Sequence, residues 1–332
     1  MMPRVNGSRV CLSIVLVLQS QETGVQQKIF HDSPRIRFMH APLPDRNGVS
    51  PSYLWIPEGR WPDLISFLQQ QFPDIAADTW HGRIARGEVV DQRGERLTQH
   101  SAVKRGTCIF YYRELDYETP VPFQETILHR DEHILVADKP HFLPVTPSGR
   151  FLQETLLVRL KKATGLRELT PLHRLDRETA GVVLFSVNPA TRGRYQTMFQ
   201  QKSMRKTYHA VAPALPALSF PLTHRSRMVD GDHFLSMKET DGEPNTETRI
   251  DILERRGANN LYLLQPLTGK KHQLRVHMSS LGAPILNDSF YPVILPDKGD
   301  DFSAPLQLLA KTLAFCDPLT GEMREFHSTC SL

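Results

Sequence analysis

The residues best suited to chemistry lie in Pro171-Leu172-His173-Arg174-Leu175-Asp176-Arg177-Glu178-Thr179-Ala180-Gly181, a turn-like stretch that runs into the apolar segment Val182-Val183-Leu184-Phe185. Asp176 sits between Arg174 and Arg177, with His173 close by. A carboxylate flanked by guanidinium groups keeps a depressed pKa and stays ionised at neutral pH. That state suits a nucleophile or a base and suits a general acid poorly. Taken alone, the stretch fits a structural salt bridge equally well. A second stretch, Thr268-Gly269-Lys270-Lys271-His272-Gln273-Leu274-Arg275-Val276-His277-Met278, supplies further donors. Its Leu274, Met278 and Leu281 fall at helical spacing and define a buried face, with His272 and Arg275 three apart on a neighbouring one. A third, Lys206 to Ala212, alternates as a strand and puts Tyr208 and Ala210 on one face.

The elements that must hold these groups follow from periodicity. His133 to Asp138 reads as a buried strand leading to Lys139-Pro140, and Leu152 to Lys162 as a helix with Leu152, Leu156, Leu157 and Leu160 on one side. A strand follows from Gly181 to Val187. Asn188 then caps a helix with Pro189 at its first position, running to about Gln201. Arg192, Arg194, Lys202, Arg205 and Lys206 accumulate there without an acid, and Tyr195 and Phe199 are interleaved. Such a run is either a solvated helix face or a surface that tracks phosphates. Residues 213–244 show no regular pattern. Thr246 to Ile252 alternates as a strand, and the turn Gly257-Ala258-Asn259-Asn260 returns it through Leu261 to Pro266. The tail alternates from Leu308 to Phe315, turns at Asp317 to Gly321 and returns through Phe326.

The first 38 residues stand apart. Val10 to Leu18 is apolar and follows Arg4 and Arg9, but it falls short of the ~20 residues needed to cross a bilayer as a helix. No small-x-small cleavage site follows it. The expectation is an extension without a role, with Met39 as an alternative start; the lack of acids before Glu22 leaves organelle targeting as the alternative, and export as a weaker one. Residues 40–60 are rich in Pro and Gly and read as an extended arm. From Trp61, Leu64, Ile65, Phe67, Leu68 and Phe72 give a short helix ended by Pro73, and a turn at Asp91 to Gly94 precedes a strand Cys108 to Tyr112. Thr119-Pro120-Val121-Pro122-Phe123 reads as a linker. The expected parts are therefore 1–38, 39–118 and 119–332.

Of 332 residues, 40% are hydrophobic and 23% charged, which argues against wholesale disorder, and a net charge of +4 excludes a polycation of the histone type. Cys11, Cys108, Cys316 and Cys330 form no Cys-x-x-Cys pair, so neither a disulfide framework nor a zinc site is suggested and a reducing compartment fits. No His-x-x-x-His lies on a recognisable acidic helix, and no metal is expected.

Taken in order, the motifs are Asp138-Lys139-Pro140, His173-Arg174-Leu175-Asp176-x-x-Thr179-x-Gly181, Lys206-x-Tyr208, Gly269-x-x-His272-Gln273-Leu274-Arg275-x-His277-x-x-x-Leu281-Gly282, and Pro284-Ile285-x-x-Asp288-x-x-Tyr291. Together, over roughly residues 123–332, they resemble the RluA-type pseudouridine synthases, which isomerise uridine within RNA. Ala180 stands where that family commonly has Ser, and Lys271 where Thr is common. The resemblance implies an α+β fold, with a mixed, largely antiparallel central sheet and helices flanking a cleft. It implies ribosomal or transfer RNA as partner, no cofactor, no membrane and no obligate protein partner, and a cytoplasmic monomer. Asp176 becomes the catalytic carboxylate, Arg275 its charge partner in a bidentate pair, and Tyr208 the tyrosine packed on the uracil. Arg174 becomes the residue that fills the gap left by a flipped nucleotide. His173, Lys139, Gln273, His272, Arg192, Arg194 and Lys202 are the further candidates for contact with RNA or uridine; Lys139, His272 and Gln273, like His277, read also as supporting residues. The segment 39–118 resembles the small RNA-binding module of ribosomal protein S four, although its helices carry few basic residues. A non-catalytic RNA-binding or ribosome-assembly factor is the rival, but such a factor is expected to have lost Asp176, Tyr208 or Arg275. A third reading, hydrolysis of the glycosidic bond alone, would release uracil.

Overall fold

The computed structural model describes residues 41–332 other than Lys202 and Phe234, so the apolar run Val10 to Leu18 lies outside the described residues. Contacts divide the chain into two units, one made of the chain up to Glu118 with Pro147–Gln153, the other of Thr119–Thr146 and Glu154–Leu332.

The first unit contains β1 (Ser52–Trp55), α1 (Leu64–Gln71), α2 (Ala77–Ala85), β2 (Val89–Asp91) and β3 (Cys108–Tyr111). Helix α1 begins where Asp63 accepts the Ser66 amide at 2.7 Å, a side-chain cap for one of the donors a helix start leaves unpaired. Its Leu64, Ile65, Phe67 and Leu68 pack with Trp80, Val89, Ile109 and Tyr111 into this unit's core. Ser52–Trp55, expected to be part of an extended arm, is instead the edge of an antiparallel sheet ordered β1-β3-β2. Its partner lies far along the chain, so no local pattern reveals the pairing.

The second unit runs through β4 (Thr126–Arg130), β5 (Ile134–Lys139), α3 (Leu156–Thr164), β6 (Thr170–Pro171), β7 (Ala180–Ser186), α4 (Pro189–Gln200) and β8 (Met204–Pro213). It continues through β9 (Leu222–Asp230), β10 (Met237–Thr240), β11 (Thr246–Arg256), β12 (Asn259–Pro266), α5 (Gln273–Ser280), β13 (Leu308–Cys316) and β14 (Met323–His327). Its sheet has 11 strands in the order β10-β9-β11-β12-β8-β13-β7-β5-β4, with β14 beside β13 and β6 beside β7. Every pairing is antiparallel except that of β13 with β7, which gives the mixed, largely antiparallel α+β arrangement expected. Among the described residues no helix is long and apolar enough to cross a membrane.

Two expectations about elements need correction. Residues 213–244 are not irregular: β9 and β10 form an antiparallel pair at the sheet edge, where Thr223, Arg225 and Arg227 face solvent and hide the alternation of the residues between them. Helix α3 starts at Leu156 rather than Leu152, because Thr155 is the cap: its hydroxyl accepts the Val158 amide at 3.4 Å.

The centre of the sheet positions the chemistry. Tyr208 on β8 lies opposite Ala310 on β13, and Ala310 lies opposite Gly181, the second residue of β7, five after Asp176. Gly181 has φ +116°, and a Cβ placed there would stand 2.2 Å from the Ala310 carbonyl oxygen. Only glycine meets both conditions.

Candidate active site

Asp176 sits in the turn before β7, closed by the Thr179 amide on the Asp176 carbonyl at 3.1 Å. Lys139, at the end of β5, fastens this turn from beneath. Its fully buried ammonium donates to the carbonyls of Pro140 at 2.9 Å, Leu143 at 2.8 Å and Arg177 at 3.0 Å. Burial pushes the amine down to about 7, yet three accepting carbonyls require three N–H donors, which only the ammonium has. Asp138, beside it, is held by Ser328 Oγ at 2.7 Å and by the Thr329 amide at 2.7 Å. Lys139 is thus committed to backbone and cannot reach RNA, a correction to its reading as a contact residue.

Arg275 comes from α5, a helix whose residues from Gln273 to Met278 are all buried. Gln273 anchors the start of that helix: its Oε1 accepts from Thr268 Oγ1 at 2.8 Å and the Lys270 amide at 3.1 Å. Its Nε2 donates to Thr248 Oγ1 at 2.9 Å and the Glu247 carbonyl at 3.1 Å. With its amide engaged at both ends and only 4% of the residue exposed, Gln273 supports the fold rather than touching RNA.

The bidentate partner of Arg275 is Asp288, not Asp176. Nε and Nη2 grip the two Asp288 oxygens at 2.8 and 2.6 Å, and the Asp288 side chain is fully buried. The remaining Nη1 donates to Asp176 Oδ2 at 3.1 Å. A fork can be filled by only one carboxylate. Asp288 takes it because it lies wholly inside, while the Asp176 side chain stays 31% exposed. Phe290 and Tyr291 donate their amides to Asp288 Oδ1 at 2.8 and 3.1 Å, and their rings flank the guanidinium. Burial would lower the Arg275 pKa, but Asp288 and Asp176 raise it above its ordinary value.

His272 also approaches Asp176, with Nε2 3.7 Å from the same Oδ2. It adopts φ +55° at the N-terminus of α5. The Tyr291 hydroxyl, which accepts the Met237 amide at 2.9 Å, lies 2.9 Å from His272 Nδ1. Donation of the phenolic proton to Nδ1 would leave the ring's own proton on Nε2, toward the carboxylate. Burial pushes His272 down to about 4, so it is neutral at pH 7. For Asp176, burial pushes the carboxyl up, and His272, Arg275 and Arg174 together outweigh it and hold the pKa below the ordinary value. Because His272 is uncharged at neutral pH, the permanent charge in that set is supplied by the arginines.

The structure thus brings together Asp176, Arg275, His272 and Asp288. Burial and then the charge of Asp176 push the Tyr208 phenol well above its usual range, consistent with its register two strands away. The family profile described as RNA pseudouridylate synthase matches residues 133–280, a segment that includes Asp176, Tyr208 and Arg275. The chain is 31% identical over 217 residues to a dual-specificity RNA pseudouridine synthase, RluA, of Salmonella typhi, covering 64% of this chain and 95% of that protein. The chain belongs to the RluA-type RNA pseudouridine synthases. A human pseudouridylate synthase is 35% identical over 177 residues, but the match spans only 32% of that longer protein and 53% of this chain. The fold likewise resembles that of a human RNA pseudouridylate synthase domain protein, with a TM-score of 0.53 at 23% identity over 64% of this chain and 86% of that one.

The other sequence candidates divide within this pseudouridine synthase. His173 accepts the Leu184 amide on Nε2 at 3.0 Å and stacks on Phe199 at 5.0 Å, so its ring packs the fold and does not reach outward. Arg192 is half-buried and donates to the Glu168 carbonyl at 2.6 Å and Ser186 Oγ at 3.4 Å. Arg174 and Arg194 are exposed, and Lys202 lies outside the described residues. Asp288 and Tyr291 were quoted in the last motif without a role. The sequence carries no signal for their roles, because the burial that sets the Arg275 fork on Asp288 arises only in the fold.

Proposed function

We propose that Asp176 is the carboxylate that drives isomerisation of uridine to pseudouridine, with Arg275 holding it ionised. The reaction breaks the N1–C1′ bond, turns the uracil and joins C5 to C1′, while C5 loses a proton and N1 gains one. Atoms are conserved and no electron is transferred. The observation that carries this assignment is the division of Arg275 between a buried Asp288 and a partly open Asp176. An isolated carboxylate would protonate in such a place; this one has a fixed cation and a neutral imidazole beside it. Tyr208 packs on the uracil, and Arg174 fills the stack when the nucleotide is drawn out, which costs a few kcal/mol. The substrate is structured ribosomal or transfer RNA; the Salmonella typhi relative is an RNA pseudouridine synthase of dual specificity. The enzyme acts as a monomer in the cytoplasm. In this reading residues 39–118 are the auxiliary module and 119–332 the catalytic domain.

Asp176→Asn is expected to abolish tritium release from RNA carrying 5-tritiated uridine while RNA binding survives. Near-normal release from that variant would overturn the assignment. Unchanged RNA mass accompanies isomerisation, whereas loss of uracil would mark hydrolysis instead.

A further inference from the structure

Three side chains with no part in the chemistry above meet under the sheet edge. His224 of β9, Glu239 of β10 and His277 of α5 bring their potential ligand atoms within 4.8 Å of one another. His224 Nε2 lies 2.8 Å from Glu239 Oε1, and His277 Nε2 lies 3.9 Å from that same oxygen. The two imidazoles meet edge to face, with centroids 4.7 Å apart. Exposure falls from 23% at Glu239 and 19% at His224 to zero at His277, so the cluster is a recess open on one side. Ser226 Oγ at 3.2 Å and Thr246 Oγ1 at 3.0 Å complete a polar lining around His277 Nε2.

Hydrogen bonding serves the two imidazoles unequally. One carboxylate oxygen faces two imidazoles, and only His224 stands close enough to use it. His277 Nε2 has Ser226 Oγ and Thr246 Oγ1 within reach instead, and its Nδ1 is buried without a hydrogen-bond partner among the described residues. A cation centred among the three would take both Nε2 lone pairs and the carboxylate together. Two imidazoles and one carboxylate suit borderline metals such as zinc, whereas magnesium and calcium favour all-oxygen sets.

We propose that His224, Glu239 and His277 form a binding site for a divalent transition-metal ion of the zinc class, which fastens the β9–β10 hairpin to α5. A water or one of the two hydroxyls would complete the coordination. The expectation of a metal-free chain rested on local spacing, and this set has none, since each ligand comes from a different element.

The full chain, stripped with chelator and dialysed, is titrated with cobalt(II) as a spectroscopic probe and then with zinc. One cobalt per chain is expected, with visible absorption bands of a low-coordinate site that zinc displaces. The melting temperature should also rise with zinc concentration. His224→Ala and Glu239→Gln should each weaken cobalt binding by about tenfold or more, while His100→Ala, an exposed histidine elsewhere, should leave it unchanged. Circular dichroism of the metal-free variants checks the fold; if His224→Ala does not fold, His224→Asn replaces it. Absence of saturable binding, or binding that persists in the combined His224 and Glu239 variant, would overturn the proposal.

Discussion

At Arg275 two carboxylates share one guanidinium, and the sharing is unequal. Asp288 receives the fork and Asp176 a single N–H. Arg275→Leu should therefore cost on the order of 3–5 kcal/mol in a urea titration, because it leaves a buried Asp288 uncompensated. Arg275→Lys, which restores the charge without the fork, should recover part of that stability and little activity. A subtler change lies at Tyr291. Removing its hydroxyl by Tyr291→Phe strips His272 Nδ1 of its hydrogen-bond partner and frees the imidazole to change tautomer. The expected result is a fall in kcat with KM little changed, and a stability loss of about 1 kcal/mol. A variant with unaltered kcat would remove His272 from the positioning of Asp176. Asp176, Arg275 and Tyr208 were legible as residue types in ordered contexts. The fork was not, because which carboxylate it grips depends on burial that only the folded helix creates.

Elements were legible where one face is apolar and the other polar. Leu274 and Met278 marked α5, and Asn188-Pro189 marked the start of α4, where the Asn188 side chain accepts the Ala190 amide at 2.9 Å. Strand β9 was missed because its outward positions carry Arg225 and Arg227, which read as loop chemistry. Within α4 the basic residues are not equivalent. Arg192 is tied to Glu168 and Ser186, so Arg192→Glu should lower stability, whereas exposed Arg194→Glu should weaken RNA binding and flatten its dependence on salt. An unchanged salt slope for the Arg194 variant would return that face to simple solvation. At the start of β7, Gly181→Ala must clear a carbonyl 2.2 Å away and accept φ +116°. A loss of roughly 3 kcal/mol or more is expected, read as a lowered denaturation midpoint.

For the whole molecule, fold class and family were legible, while the edge strand β1 of the small sheet, and the placement of β13 in the middle of the large one, were not: both pair with partners far away in the sequence. Acid response belongs to this scale. Burial pushes His272 down to about 4 and His173 down to about 3, below the roughly 6.5 of an unfolded histidine. The unfolded chain therefore takes up protons first as pH falls, so the stability these neutral rings allow is complete above about 6.5 and is lost on acidification toward about 4. The slope is up to about 1.4 kcal/mol per pH unit for each ring. Urea midpoints at pH 7, 6 and 5 should fall in that order. Midpoints that hold steady would mean that neither ring is buried in its neutral form.

Strand β13 carries a consequence for synthesis. It lies between β7 and β8, so until the chain has been made past Cys316 those two strands cannot join through it. A nascent chain thus leaves β7, which follows the Asp176 turn, and β8, which carries Tyr208, with open edges, the kind of edge that recruits foreign strands. Ribosome-stalled chains ending before Leu308 should bind holdase chaperones and lack activity, and those extending beyond Thr329 should release them.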